Sequence, residues 1–393
     1  MGDQNILIED ILTRSVDTIV DREHLEARLR SGEKLRIKLG IDPTSPNIHI
    51  GRAIPLLKLR RFQELGHQIV FLIGDFTAVV GDTSDKDAER PMLEKNLVQE
   101  NLKTYLEQAS KVIDVSKAEI VYNSTWLSKL SYEEVGEQAE IFSVNDFIAR
   151  SNIKDRLDKG GRVSLREVLY PLMQGYDSVA VRADVELGGA DQWFNLLAGR
   201  KLQKHYRQLP QDILTTVLVE GLDGRKMSSS WGNTINVFDE PKDMFGKVMS
   251  LRDEMIGSYF EHCTMLSITE VKTYQAELNS SKANPRDLKE RLAFEITKLY
   301  WGEEGAKEGQ DYFNTVFRDK ALPDEIIEVK VSSANIVDVL VEAGLVESKS
   351  EARRAIDQGG VRMNDDVVTS PETEVISGAI IQKGKRQVIK ILL

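Results

Sequence analysis

The sequence predicts an α/β fold: a parallel-sheet domain carrying a helical insertion, then an α-helical domain, then a small α+β domain. Three observations lead there. Two β-rich apolar runs flank one stretch of helical periodicity; similar runs return after a long charged, helix-forming segment; and the last 60 or so residues carry their own helix-and-strand pattern behind a Leu322-Pro323-Asp324 linker.

Residues 35 to 42 (LRIKLGID) and 68 to 74 (QIVFLIG) are apolar and β-branched enough to be buried strands. Between them Ile54, Leu57, Leu59, Phe62 and Leu65 fall mostly on one face of a helix opening near Gly51 and stopping at Gly66. Such a βαβ unit joins parallel strands, and ligands of open parallel sheets sit past the carboxyl ends of the strands, here after Asp42 and Gly74. Residues 88 to 168, broken near Asn123 and Gly160-Gly161, are expected as inserted helices. The sheet is expected to resume at Val179 to Val185 and Ile213 to Val219, and helices again from Glu240 to about Phe317. In the tail Ser348-Lys349-Ser350-Glu351 matches a capping box, opening a helix that stops at Gly359-Gly360 before a strand at Val361 to Met363. The resulting domains are 1–235, 236–325 and 326–393, with no internal repeat or low-complexity segment.

Composition narrows the function. The 393 residues are 41% hydrophobic and 29% charged, which excludes a disordered or fibrous chain. A net charge of −11 argues against coating nucleic acid through bulk charge, so any such contact is local. From Lys330 onward nine basic residues balance nine acidic ones, so the tail is neutral and the rest carries the whole excess. One cysteine, Cys263, and five scattered histidines imply neither a disulfide nor a zinc site. The N-terminus has no basic leader before an apolar core, and no apolar run approaches a membrane span, so a soluble, cytoplasmic protein without a membrane partner is expected. Asn123-Ser124-Thr125 fits a glycosylation sequon and is read as chance.

Two loops carry candidate chemistry. Asp42-Pro43-Thr44-Ser45-Pro46-Asn47-Ile48-His49-Ile50-Gly51-Arg52 leads from the first strand into its helix, where Gly51 permits close approach and free N–H groups favour phosphate, with Thr44 and His49 as donors. Taken alone it reads more readily as a prolyl turn capped by Asn47 with a histidine packed on a helix end. Far downstream, Gly221-Leu222-Asp223-Gly224-Arg225-Lys226-Met227-Ser228-Ser229-Ser230 offers a point charge and hydroxyl donors to a polyphosphate; alone it is also an ordinary surface loop.

Together the two resemble the paired HIGH and KMSKS motifs of class I aminoacyl-tRNA synthetases, as His49-Ile50-Gly51-Arg52 and Lys226-Met227-Ser228-Ser229-Ser230. The segments between them, Gly74 to Asp82 (GDFTAVVGD), Tyr170 to Ser178 (YPLMQGYDS) and Gly188 to Trp193 (GGADQW), resemble the substrate-binding segments of bacterial tyrosyl-tRNA synthetases. The tail sequence SKSEARRAIDQGGVRMNDDVV resembles an S4-type RNA-binding module, so the likeness spans nearly the whole chain. It implies a Rossmann-like catalytic domain and activation of L-tyrosine with ATP, followed by transfer to the 3' end of tRNA(Tyr). Mg²⁺ would come with the ATP and no structural metal is expected; a homodimer is.

The resemblance also implies roles. Asp177 would receive the tyrosine hydroxyl, Tyr170, Gln174 and Asp82 would hold the α-ammonium with Thr77 alongside, and Asp42 and Gln192 would border the amino acid's carboxyl and ammonium end. Gly189 and Asp191 would meet the ribose and Leu218 and Val219 the adenine, while Gly51, Ser228 and Ser230 complete the nucleotide contacts. Thr44, His49, Lys86, Arg90 and Lys226 would address the phosphates. A buried carboxylate would select tyrosine, since phenylalanine leaves it unpaired. Lys349, Arg353 and Arg354 at a helix start, with Lys383, Lys385 and Arg386, would contact tRNA phosphates, and the helices of 236–325 would meet the anticodon.

Three positions depart from the pattern. Arg52 stands for the second histidine of HIGH and Ser229 for the second lysine of KMSKS, so Arg52 is expected to reach phosphate and offset the lost charge. Lys38 stands where one branch of the family has a tyrosine contacting the substrate hydroxyl; it either steers Asp177 or points away. Two alternatives stay open: the sister tryptophanyl enzyme, and a non-catalytic paralogue that keeps its RNA-binding tail.

Overall fold

The computed structural model describes residues 2–82, 92–280, 284–318, 327–364, 366–384 and 387–392. Lys86, Arg90, Lys385, Arg386 and the Leu322-Pro323-Asp324 linker lie outside them. The chain forms two compact units, Met1–Gly309 and Gln310–Leu393.

The first unit is built on a six-stranded sheet of β1 (Val16–Val20), β2 (Arg36–Ile41), β3 (Gln68–Ile73), β4 (Glu119–Tyr122), β5 (Val185–Gly189) and β6 (Asp212–Thr216), in the order β1-β6-β5-β2-β3-β4. All neighbours are parallel except the edge pair β1 and β6. The β3 sequence QIVFLI is buried at every position after its first, as befits a strand covered on both faces. The chain leaves β2 towards β3 and leaves β5 towards β6 in the opposite direction. Right-handed crossovers therefore put the Ile50–Glu64 and Trp193–His205 helices on opposite faces, and a crevice opens where β2 and β5 meet.

The Ile50–Glu64 helix keeps the expected bounds: His49 caps it, and Gly66, with φ of 89°, turns the chain into β3. Two expectations are corrected. Residues 179–181 are not strand but the last turn of the Leu165–Val181 helix, which a reciprocal Ser164/Glu167 capping box starts and a left-handed Arg182 ends; β5 begins only at Val185. Packing of a 17-residue amphipathic helix overrides the β preference of three terminal residues. The segment read as a purely helical insertion also supplies β4, whose parallel pairing with β3 extends the sheet by an edge strand too short to show a period. The last sheet strand likewise stops at Thr216, leaving Val217 to Val219 as loop.

Helices at Pro241–Met249, Ile256–His262, Ile268–Asn279 and Pro285–Phe313 follow, the last interrupted at Gly302. In the second unit a five-stranded sheet, β7 (Ile327–Lys330), β8 (Val361–Met363), β9 (Asp366–Val367), β10 (Ile380–Lys383) and β11 (Gln387–Leu392), runs in the order β7-β11-β10-β8-β9. Its core joins Val361, Ile381 and Ile391 to Ile336, Leu340 and Ile356 of the Ile336–Glu342 and Lys349–Asp357 helices. The latter starts at Ser348, whose side chain accepts from the Glu351 amide; the reciprocal half of the expected capping box is replaced by the Glu351 carboxylate accepting from the Glu347 amide at 3.0 Å.

The Leu165–Val181 helix lies against the Trp193–His205 helix at Gly175. A Cβ there would come 2.7 Å from Leu202 Cδ1 and 3.0 Å from the Ala198 backbone. Gly175→Ala is therefore expected to cost about 1–3 kcal/mol of stability, read by chemical denaturation, because two helices must separate to admit one methyl. An unchanged denaturation midpoint would contradict this packing.

Candidate active site

The loops after β2, β3, β5 and β6 open onto one cavity of about 410 Å³ at the carboxyl end of the sheet. Lys38, Asp42, Thr44, His49, Gly51 and Arg52 line it from β2 and its following segment, and Thr77 and Asp82 from the segment after β3. Tyr170, Gln174 and Asp177 are spaced to share one face of their helix and enter from the side. Gly189 ends β5 and Asp191 and Gln192 follow it, Leu218 and Val219 follow β6, and Lys226, Ser228 and Ser230 come from the downstream basic loop. Every described candidate from the two sequence loops and the segments between them thus faces one space.

Backbone pairing joins the first loop to the segment just past the second. The Ile50 amide donates to Ile235 O at 2.8 Å and the Val237 amide to Ile48 O at 2.9 Å, with His49 bridged to Asn236 between them. The basic loop is itself closed by Asn233. Its Oδ1 accepts from the Ser228 amide at 2.9 Å, and its Nδ2 donates to Asp223 Oδ1 at 2.7 Å. Lys226 lies 2.7 Å from Asp191 Oδ2. His49 Nδ1 accepts from the Arg52 amide, which leaves the ring proton on Nε2 at the helix N-terminus. Thr44 Oγ1 and Arg52 Nη1 are buried and have no hydrogen-bond partner among the described residues, a state that an anion would relieve.

At the opposite end a buried carboxylate, Asp177, and a half-buried one, Asp42, are joined by one network. Asp177 Oδ1 accepts from Trp126 Nε1 at 2.7 Å and Oδ2 from Asn123 Nδ2 at 3.1 Å. Asn123 Nδ2 also donates to Thr77 Oγ1 at 2.9 Å; that hydroxyl donates to Asp42 Oδ1 at 2.7 Å, and Tyr170 OH donates to Asp42 Oδ2 at 2.8 Å. Burial pushes Asp177 up to about 7 against the pull of Lys38, Trp126 and Asn123, and pushes Asp42 to about 6 against Thr77 and Tyr170. Burial and the nearby Asp42 raise the Tyr170 phenol as well. Gln192 Nε2 donates to Asp82 Oδ2 at 2.8 Å, and Asn195 Nδ2 to Gln192 Oε1 at 2.9 Å. Gly74 has no room for a side chain: a Cβ would overlap the Asp42 carboxylate and Thr77 Oγ1.

Sequence reasoning missed Asn123, Trp126, Glu186, Asn195 and Asn233. Asn123 showed only as a chance sequon at a helix break, yet it is fully buried and its amide donates both to Asp177 and to Thr77, the partner of Asp42. Glu186 had a signal, a lone acid inside the buried run Val185–Gly189, and it takes up Lys38 at 2.8 Å. Lys38 therefore turns to Glu186, Ser178 and the Gln174 carbonyl rather than bonding Asp177. In the second unit Arg353 and Arg354 are exposed on the Lys349–Asp357 helix. Lys349 pairs with Asp338 at 2.6 Å, and Lys383 is engaged by the Leu345 carbonyl and Glu351.

Comparison with known proteins fits this geometry. Residues 30–318 match the family of tRNA synthetases class I (W and Y), and residues 335–381 match the S4 domain. Among curated proteins, the tyrosine-tRNA ligase of Thermotoga maritima is 44% identical over 385 residues, covering 97% of this chain and 96% of that protein. That of Moorella thermoacetica is 44% identical over 390 residues, covering 97% and 94%, and tyrosine-tRNA ligase 2 of Clostridium acetobutylicum is 41% identical, covering 98% of each. Among solved structures, a truncated mitochondrial tyrosyl-tRNA synthetase of Aspergillus nidulans shares the fold with a TM-score of 0.66 at 21% identity, covering 79% of this chain and 94% of that one. The Archaeoglobus fulgidus tyrosyl-tRNA synthetase complexed with L-tyrosine gives 0.62 at 24%, covering 78% and 100%.

The two raised acids carry a pH signature. Between about pH 4 and pH 7 the folded chain retains protons on Asp177 and Asp42 that the unfolded chain has released, so their contribution to stability falls as pH rises through that window. The stability of Asp177→Asn relative to wild type, measured by urea unfolding, is accordingly expected to improve from pH 5 to pH 8; a constant difference would contradict the burial of an ionising Asp177. With its two motif-bearing loops closed on one cavity, and with relatives above 40% identity over nearly its whole length, the chain belongs to the class I aminoacyl-tRNA synthetases, in their tyrosyl-tRNA synthetase family.

Proposed function

We propose that the cavity binds L-tyrosine and ATP together, makes tyrosyl-adenylate and pyrophosphate, and passes tyrosine to the 3' end of tRNA(Tyr). One observation carries this reading: a buried, hydrogen-bonded carboxylate at one end of a single cavity and a lysine-bearing loop pinned to a helix N-terminus at the other. The substrate carboxylate attacks the α-phosphorus and pyrophosphate leaves, so no enzyme nucleophile is needed and rate comes from alignment and charge.

In this reading the phenol O–H donates to the Asp177 carboxylate, and phenylalanine would leave that carboxylate short of a partner in a buried site. Tyr170, Gln174, Asp82 and Thr77 surround the α-ammonium, with Asp42 and Gln192 at the junction of amino acid and nucleotide. Gly189 and Asp191 face the ribose and Leu218 and Val219 the adenine. The Ile50–Glu64 helix N-terminus, Thr44 and His49 meet the phosphates, and Arg52 supplies a fixed charge near the position where Ser229 lacks one. Lys226 exchanges Asp191 for phosphate once ATP enters, so the ion pair works as a resting position. Lys86 and Arg90 are proposed as further phosphate contacts. Mg²⁺ enters with the ATP phosphates as part of that substrate.

The tail is proposed to grip tRNA through Arg353 and Arg354 with the cations at 383, 385 and 386. The helices of 236–325 would lie towards the anticodon, and two copies would act as a homodimer. The neutral charge of the tail suits contacts that position an RNA rather than attract it from a distance.

Exchange of labelled pyrophosphate into ATP tests the proposal. It should require tyrosine, not tryptophan, and Lys226→Ala should slow it by about 10²–10³-fold while leaving the KM for tyrosine within a few-fold. Exchange with tryptophan alone, or none with any amino acid, would overturn the assignment.

A further inference from the structure

We propose that the buried Lys38–Glu186 ion pair is a positioning device for substrate recognition, locking the helix turn that carries Gln174 and Asp177 so that Asp177 stays placed to receive a phenol. The proposal rests on the functional reading above and names the groups that tune its amino-acid end.

Lys38 and Glu186 are direct cross-strand neighbours on β2 and β5, at the centre of the sheet, and both are almost completely buried. Every N–H of the ammonium is spent: on Glu186 Oε1 at 2.8 Å, on Ser178 Oγ at 2.8 Å and on the Gln174 carbonyl at 3.1 Å. Glu186 in turn accepts from Ser178 Oγ at 2.9 Å, from Gln174 Nε2 at 3.3 Å and from Gln211 Nε2. The pair therefore holds the helix on either side of Asp177, by backbone at 174 and by side chain at 178. It does so from below the cavity, which Lys38 also lines.

Stability alone does not account for it. Two apolar residues of similar volume at the centre of a parallel sheet serve stability at least as well as a desolvated ion pair, and the neighbouring positions Ile37, Leu39, Val185 and Leu187 are apolar and buried. What the ions add is a field. The groups facing Asp177 are Trp126 and Asn123 from the segment after β4, Lys38 from β2, Glu186 from β5 and Tyr170 from its own helix. Among the charged ones, attraction by Lys38 outweighs repulsion by Glu186. The carboxylate is thereby kept available to accept a hydroxyl in a site whose burial favours protonation.

The test uses the full-length chain. Tyrosine affinity is measured by calorimetry from pH 6 to pH 9, and affinity should fall below a midpoint near that of Asp177. In Lys38→Met combined with Glu186→Gln, which removes both charges at similar volume, the midpoint should rise by about one pH unit, weakening tyrosine binding several-fold at pH 7. Lys38→Arg, which keeps the charge, should retain the wild-type midpoint. If the double variant does not fold, Glu186→Gln alone decides: with the repulsive neighbour gone the midpoint should fall. A folded double variant with an unmoved midpoint overturns the proposal, as does a midpoint in Glu186→Gln that holds or rises. A wild-type chain that binds no tyrosine at any pH overturns the functional reading and the proposal with it.

Discussion

The hydrogen bonds between Ile48–Ile50 and Ile235–Val237 are the constraint on which the rest of the site depends. They tie a loop near the start of the chain to one nearly two hundred residues later, and so bring a helix N-terminus and a lysine-bearing loop to the rim of the same crevice. Backbone pairing suits this task because it fixes register without spending side chains, which stay available to the cavity. Asn233 performs the same service for the second loop by tying Ser228 to Asp223, and Lys226 on that loop pairs with Asp191.

The amino-acid end follows a different logic. A parallel sheet offers an apolar floor, and a carboxylate set into such a floor tends to take up a proton. Here that tendency is countered by donors from three elements: Trp126 and Asn123 after the edge strand β4, Thr77 after β3, and Tyr170 on the covering helix. The edge strand thus earns its place by delivering Asn123, whose one amide group serves both acids. The strand-end position of these groups is the general solution of open α/β folds, and the polar network sets its two acids in fixed places.

Much of this was legible in the residues. The strands at 36–41 and 68–73, the helix between them and the capped helix of the tail follow from apolar periodicity and end signals that local sequence carries. The motif loops were legible not singly, since each alone also reads as an ordinary turn or surface loop, but as a pair with the three motif segments in order between them. The register of β5 was not: Val179-Ala180-Val181 and Val185-Glu186-Leu187 look alike locally, and only the packing of the Leu165–Val181 helix on its neighbour decides which is strand. Nor were Asn123, Trp126 and Glu186 as partners. Each owes its role to a residue dozens of positions or more away in the sheet or across the cavity, and a lone polar residue in an apolar run does not announce whom it will meet. Arg353 and Arg354 were legible as an exposed basic helix face, whereas the bonding of Lys383 to Leu345 and Glu351 was not.

A crystal structure of the chain with an unreactive tyrosyl-adenylate mimic tests the account most directly. It should place the phenol oxygen within hydrogen-bonding distance of Asp177, with Trp126 and Asn123 still bonded to that carboxylate, and should show Lys226 released from Asp191 and turned towards the phosphate. A mimic bound with its phenol away from Asp177, or a Lys226 that stays on Asp191 with the phosphate out of reach, would contradict it.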